Sequence, residues 1–257
     1  MKNFFIKNFL SLADANFFRS QLEKEIEFNK INNLEELLNS KKYQGLINQK
    51  LISLVEENLN IKEFIFLNIV KFQKKTTYYV DPKHGWHKDF GGRKDQLKIL
   101  SKKSNFIFKI GIYLQKNEKN LGGGIDLLKT MPFDNLIINN KAMNFIRRVY
   151  YFFLRKFFDN MLKTDVGNVV GFNGLVYHRT SPMKVDNNAN HKNKYSIYFL
   201  ITNLDTIKDS IKIYDQKYNT NKYKMLDKNL FLKKFGDSKI SLCSKEYSTY
   251  VEHIFGD

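Results

Sequence analysis

Cysteine is nearly absent: Cys243 stands alone in a chain of 257 residues. A single thiol forms no disulfide within the chain and no cysteine-based zinc site. It fits a reducing compartment. Proline (3) and glycine (13) are also scarce, which excludes a collagen-like, repetitive or low-complexity chain. No internal repeat is visible. Long apolar runs are missing too, since no segment approaches the roughly 20 apolar residues that span a bilayer. The opening, Met1-Lys2-Asn3-Phe4-Phe5-Ile6-Lys7, has too short an apolar stretch for a signal peptide, is broken by Lys7, and is followed by no small-residue cleavage site. A soluble, cytoplasmic protein is expected.

Arginine is the minor cation. Only Arg19, Arg93, Arg147, Arg148, Arg155 and Arg179 stand among the 43 Lys+Arg, against 26 Asp+Glu, for a net charge of +17. A surface of that sign attracts nucleic acid, anionic lipid or acidic small molecules. The abundance of Lys, Asn, Ile and Phe also matches chains from AT-rich genomes. No RNA-recognition, helix-turn-helix or zinc-finger pattern is present, so no specific nucleic-acid partner is expected. What the chain has in quantity is aromatic side chains, 23 Phe and 14 Tyr, enough for a substantial core.

The apolar patterning puts helices first and strands later. Residues 4–10 read as a strand. Ser11 is a good N-cap, with Asp14 at the third helical position, for a helix to about residue 28. Leu22, Ile26 and Phe17–Phe18 lie on one face of that helix. Further helices are expected near 33–40 and 43–59, and strands over 61–80, 105–115, 124–129, 168–173, 175–178 and 194–202. This order suggests a β core with helices packed outside it. Between the strands, residues 142–158 form a basic, very aromatic helix. On the simpler view its Phe residues enter the core; on the other, it lies on an anionic membrane. The tail, 205–257, is Lys-rich and carries no legible motif.

Three segments carry chemistry. In Trp86-His87-Lys88-Asp89-Phe90, His87 and Asp89 are two positions apart, so on an extended segment both point to one side and can meet one metal ion. His178, at the end of a predicted strand, is the candidate third ligand, with His84, His191 and His253 as competitors. Two His and one carboxylate on one face of iron(II) leave three positions open. In Lys192-Asn193-Lys194-Tyr195-Ser196, Lys194 and Ser196 share a face. A cation and a hydroxyl in that arrangement suit the far carboxylate of a keto diacid, with Lys192 as substitute. Gly122-Gly123-Gly124 is followed by no Gly-Lys-Ser/Thr, so it is not a phosphate loop.

Taken in order, Phe5 to Ser11, Trp86 to Asp89, Phe108 to Gln115, Gly122 to Leu127, Gly167 to Phe172, His178-Arg179 and Lys194 to Ile197 resemble the phytanoyl-CoA dioxygenase branch of the iron(II)/2-oxoglutarate oxygenases over roughly residues 4 to 202. The resemblance implies a double-stranded β-helix, a jelly roll of the cupin-like kind, mainly β with flanking helices. The whole chain, 1–257, is then one oxygenase domain. N-terminal helices fill about 11–60. A barrel core fills about 61–204 and carries a helical lid insertion over about 133–163. A C-terminal extension fills about 205–257. The resemblance implies His87, Asp89 and His178 as iron ligands and Lys194 with Ser196 as the 2-oxoglutarate clamp, where relatives usually have Arg. Tyr113 and Gln115 would contact co-substrate or substrate. Lys109 shares their face, and with Arg147 and Arg148 it is a candidate for substrate or lid contact. Asn168 stands where an Asp is usual, and the chain reads Met131-Pro132-Phe133 where relatives have a Pro-Gly-Ser-His turn.

The activity implied is hydroxylation of a small-molecule, sugar-phosphate or lipid-linked substrate, in the main an anionic one, with dioxygen consumed and succinate and carbon dioxide released. Asp89 argues against a halogenase, which lacks the carboxylate ligand. The alternatives are a degenerate barrel that holds polyanions and a cupin-like metal enzyme that does not use 2-oxoglutarate. Peripheral contact with an anionic membrane is the remaining partner expectation.

Overall fold

Alternation along three neighbouring strands builds a sheet with two different faces. In the computed structural model, residues 3–24, 31–32, 45–75, 85–90, 93–117, 122–128, 141–157, 162–182, 193–221, 232–234 and 241–243 are described. The central strands are β4 (Ile107–Tyr113), β6 (Val169–Asn173) and β8 (Asn193–Thr202). Successive side chains of a strand point to opposite faces. Phe108, Ile110, Ile112, Val169, Ile197, Phe199 and Ile201 therefore turn one way and join one apolar cluster. Lys109, Tyr113, Val170, Phe172, Lys194, Ser196 and Tyr198 turn the other way.

Among the described residues the sheet has eight strands in the order β1-β6-β4-β8-β3-β10-β9, with β2 beside β3. Here β1 is Phe4–Ile6, β2 Ile31–Asn32, β3 Ile65–Lys75, β9 Leu232–Lys234 and β10 Ser241–Cys243. Its pairings are antiparallel, except that β10 runs parallel to β3. A second, small sheet pairs β5 (Ile125–Leu127) with β7 (His178–Thr180). Single bridges widen it on both sides, His87 to His178 and Ile125 to Leu162. The small sheet faces the inward side of the large one, where Ile125 packs with Tyr113, Val170, Phe172 and Tyr198.

Helices cover the opposite face. Helix α1 (Leu12–Glu23) is capped by Ser11, whose hydroxyl accepts from Asp14 N at 3.1 Å, as the sequence predicts. It ends at Glu23, short of residue 28, because the Lys24 N–H turns back to Gln21 O. Phe18 and Leu22 are buried, but Phe17 is exposed rather than sharing their face. Helix α2 (Gln49–Leu59) starts later than the predicted 43, because Asn48 caps it, and it ends on Asn60 in the left-handed conformation. The helix expected over 33–40 lies outside the described residues. Phe66, Phe108 and Phe199, fully buried between sheet and helices, contribute about 1.5–3 kcal/mol each.

Two helices have no counterpart in the sequence analysis: α3 (Lys94–Leu100) and α5 (Leu204–Tyr218). They close the far end of the sheet with Ile99, Leu100, Ile207 and Ile211. The strand expected at 175–178 is displaced to 178–180, since Asn173 to Val176 form a turn closed by Val176 N to Asn173 O. Helix α4 (Lys141–Phe157) matches the basic aromatic segment, but its orientation corrects the expectation of a Phe-lined core face. Tyr151 is buried against Trp86 and Leu128, whereas Phe145, Phe152 and Phe153 are exposed. Among the described residues no helix is long and apolar enough to cross a membrane.

Candidate metal centre

Two backbone hydrogen bonds set the centre. His87 N donates to His178 O at 3.0 Å and His178 N to His87 O at 2.9 Å, so the two imidazoles stand side by side across the bridge with ring centroids 4.4 Å apart. Each ring is turned by its own chain. His87 Nδ1 lies 2.8 Å from Gly85 O, and His178 Nδ1 lies 3.0 Å from Val176 O. A carbonyl only accepts, so each Nδ1 carries a proton and each Nε2 is left to face the centre. Phe90 N donates to Gly174 O, which fastens the bend after His87 and keeps Asp89 on the side of the two imidazoles. Asp89 Oδ1 lies 3.8 Å from His87 Nε2 and 3.5 Å from His178 Nε2. The three donor atoms lie within 4.8 Å of one another, so small side-chain adjustments would bring all three onto one ion with bonds of about 2.0–2.2 Å. The donor set, two imidazoles and one carboxylate, fits a divalent transition metal.

The electrostatics suit that use. Burial by itself raises the Asp89 carboxyl, but the Lys109 ammonium and the His178 ring outweigh it and hold the group well below the usual carboxylate range. Lys109 Nζ donates to Asp89 Oδ2 at 2.8 Å. One carboxylate oxygen is thus engaged by a lysine and the other faces the imidazoles. Partial burial, and then the adjacent His178, push the His87 pKa below its ordinary value, which favours the neutral ring that a metal requires.

Beside the three candidate ligands lies a cavity of about 140 Å³. His87 and His178 form one end; Lys109, Phe172, Lys194 and Tyr198 form its inner-sheet wall. Ile125, Arg179 and Thr180 complete the lining. Lys194 is buried, with Nζ 5.1 Å from the Tyr113 ring centroid and 5.9 Å from that of Tyr198. The Tyr113 and Tyr198 hydroxyls share a hydrogen bond of 2.8 Å. Burial pushes the Tyr198 phenol up to about 12 and raises Tyr113 as well, so both remain neutral donors. The Ser196 hydroxyl is fully buried. It is near enough to Tyr198 to favour that phenol's ionised form, yet no well-formed hydrogen bond joins it to a described residue. A buried hydroxyl in that state costs about 1–3 kcal/mol, and a bound carboxylate beside Lys194 would offset that cost. Gly111 makes room for this wall, because a Cβ there would stand 2.3 Å from Tyr198 Cε1.

The structure thus brings His87, Asp89, His178, Lys109, Lys194, Ser196 and Tyr113 to one side of the sheet. Gln115 is turned elsewhere: its amide oxygen accepts from Tyr195 N at 2.7 Å and its nitrogen donates to Asn117 at 3.0 Å. Arg147 and Arg148 lie on α4, outside the cavity lining. His84, Lys192, His191 and His253 lie outside the described residues. Sequence reasoning missed Tyr198, although alternation from Lys194 and Ser196 points to it. It also missed Arg179, which is buried with Nε 2.8 Å from Asp126 Oδ2. Ser181 donates to the other oxygen of Asp126 at 2.7 Å. Nothing in the sequence linked these three residues, because their meeting depends on the β5–β7 register.

No family model matches the sequence, and no curated protein matches it by sequence. The likeness is to solved structures. HygX from Streptomyces hygroscopicus with iron bound gives a TM-score of 0.51 at 14% identity, over 79% of this chain and 82% of that one. HygX with nickel and 2-oxoglutarate bound gives 0.50 at 15%, over the same shares, 79% and 82%. AviO1 from Streptomyces viridochromogenes Tue57 gives 0.48 at 12%, over 76% of this chain and 87% of that one. The fold is a double-stranded β-helix. At these identities the likeness is one of fold; the roles of the residues rest on the geometry above.

Proposed function

We propose that the chain is a non-haem iron(II), 2-oxoglutarate-dependent oxygenase. The observation that carries this is the pair of imidazoles whose Nδ1 atoms are tied to Gly85 O and Val176 O, leaving both Nε2 atoms facing Asp89 Oδ1. Two His and one carboxylate on one face are the donor set of such oxygenases. The fold is shared with HygX, a protein solved with iron and with 2-oxoglutarate, which supports the same reading. When bound, iron(II) with 2-oxoglutarate and dioxygen supplies the oxidising power for C–H hydroxylation, releasing succinate and carbon dioxide.

His87, Asp89 and His178 would hold the metal. Lys194 and Ser196 would take the far carboxylate of 2-oxoglutarate, the lysine by charge and the serine by its hydroxyl. Lysine offers a point charge where an arginine would offer a fork, and the neutral Tyr113 and Tyr198 phenols add direction. Phe172 and Ile125 exclude water from the cavity. Lys109 adds a second cation to its wall, which favours an anionic small-molecule substrate, whether a sugar phosphate or a lipid-linked compound. The order of the motifs supports membership of the phytanoyl-CoA dioxygenase branch.

The test uses protein prepared without oxygen. Iron(II) and 2-oxoglutarate should give a weak visible charge-transfer band. His87→Ala should abolish it. Lys194→Met should still bind iron but need about 10- to 100-fold more 2-oxoglutarate, as expected for losing a charged hydrogen bond of about 1.5–3 kcal/mol. If wild-type protein gives no band while binding iron, the oxygenase assignment fails.

A further inference from the structure

Helix α4 turns its apolar side outward. At roughly 100° per residue, Phe145, Ile146, Val149, Phe152 and Phe153 fall within a little over a third of its circumference. Their exposures are 66%, 52%, 37%, 41% and 52%. Helices on a globular core show the reverse arrangement. Here the inward stripe is Tyr150, Tyr151 and Leu154, packed with Trp86, Leu128 and Tyr177. Arg148 is exposed at one border of the outer stripe with the half-buried Arg155 beside it, while Arg147 lies half-buried on the inward side. The segment KAMNFIRRVYYFFLRKF contains five cations and no carboxylate.

We propose that this face of α4 docks on an anionic lipid bilayer. An exposed apolar patch of this kind marks an interaction surface. An aromatic and aliphatic stripe bordered by arginines is what a helix lying in the plane of a membrane interface presents. Charge decides between the possible occupants. A second copy of the chain would bring two net charges of +17 together, with two cation-only helices face to face. An anionic surface lowers the energy of the same charges.

The docked helix would hold the metal centre close to the lipid. Its inner side touches the ligand segment directly: Lys88, between His87 and Asp89, places Nζ 4.5 Å from the Tyr177 ring centroid and 5.5 Å from that of Tyr151. Tyr151 and Tyr177 are themselves 4.7 Å apart, and Arg155 lies over Tyr177 at 5.2 Å. One helix diameter, about 10–12 Å, therefore separates the ligand segment from the outer stripe. The docking itself does not depend on the oxygenase assignment.

Flotation of the full chain with phosphatidylcholine vesicles, with and without phosphatidylserine, tests the proposal. Wild-type protein should float with the phosphatidylserine vesicles alone, and less so as salt rises. The triple variant Phe145→Gln, Ile146→Gln, Phe153→Gln should lose binding by ~10-fold or more while its thermal unfolding is unchanged. Should that variant fail to fold, Phe145→Trp provides the second readout: its added emission should shift to shorter wavelength on phosphatidylserine vesicles and be quenched by brominated lipid. Absence of wild-type flotation at physiological salt overturns the proposal. So does equal binding by the triple variant, or a dimer in sedimentation that the triple variant dissolves.

Discussion

Replacing Lys109 with methionine separates the roles of charge and metal at the centre. In the metal-free protein Lys109 Nζ stands 2.8 Å from Asp89 Oδ2, with only 15% and 16% of the two side chains exposed. Methionine keeps the length of the side chain and removes the cation, leaving a carboxylate in a poorly hydrated site. Breaking a fully buried pair in this way costs about 3–5 kcal/mol; the residual exposure reduces this to about 2–3 kcal/mol. In a chain of this size each kcal/mol moves the melting temperature by about 2–4 °C, so the metal-free variant should melt ~4–12 °C below wild type.

A divalent ion bound by His87, Asp89 and His178 gives the carboxylate a new cation. Metal should therefore stabilise Lys109→Met more than wild type and narrow the gap to about half or less. The pH dependence follows from the sign of the shift. In wild type the folded Asp89 pKa lies below its unfolded value of about 3.9. Its stabilisation is fully present above about pH 4 and is lost as pH falls through the folded pKa. In the variant burial dominates, so the difference between the two proteins should shrink below about pH 4. Calorimetry with chelator and with added manganese or nickel, over pH 3 to 8, measures all three effects. Equal melting of the metal-free proteins would refute the role of Lys109. A gap that metal leaves unchanged would refute the three-ligand centre.

Two further substitutions test the wall and the support of the site. Gly111→Ala puts a methyl group 2.3 Å from Tyr198 Cε1 and 2.8 Å from Cδ1. It should cost about 1–3 kcal/mol by overpacking and weaken 2-oxoglutarate binding in titration calorimetry, and no change in either would contradict the placement of the Tyr198 ring. Asp126→Ala removes the carboxylate that holds Arg179 and Ser181. It should lower stability by about 3–5 kcal/mol in urea unfolding, largely recovered by Asp126→Leu with Arg179→Met, and a loss under about 1 kcal/mol would show that the buried pair is not what fastens β5 to β7.

Much of the molecule was legible in the chain. Period-two alternation in Ile107 to Tyr113 and Asn193 to Thr202 marked the central strands and put Lys109 and Tyr113 on one face and Lys194 and Ser196 on another. The structure joins the two as a single inner face. The His87 and Asp89 spacing marked a candidate ligand pair, and Ser11 marked the start of α1. These are local properties, set by backbone periodicity and by side-chain hydrogen bonds to nearby amides. Helix α5 was locally marked too, with Asn203 capping through Thr206 N at 3.0 Å and Ile207 and Ile211 one turn apart, but the Lys-rich composition of the tail concealed it.

Other features needed the fold. The strand expected at 175–178 moved because the turn at Asn173 to Val176 takes its hydrogen bonds locally, and His87 supplies the ladder partner of His178 from a distant segment. Gln115 lies just past the end of β4, where Tyr195 N and Asn117 claim its amide, so extending the alternation by one step misdirected it. The amphipathic pattern of α4 identified a helix with one polar border and one apolar face, and pattern alone does not say which face meets the protein. Packing decided it, because the Tyr151 and Tyr177 rings and the Lys88 cation offered the inner contact. The amino-acid sequence by itself determined the strands, the caps and the types of group available for a metal and an anion. Only long-range strand pairing decided which of those groups meet, because Lys109 with Asp89, and Arg179 with Asp126, are partners across strands that nothing in the local chain connects.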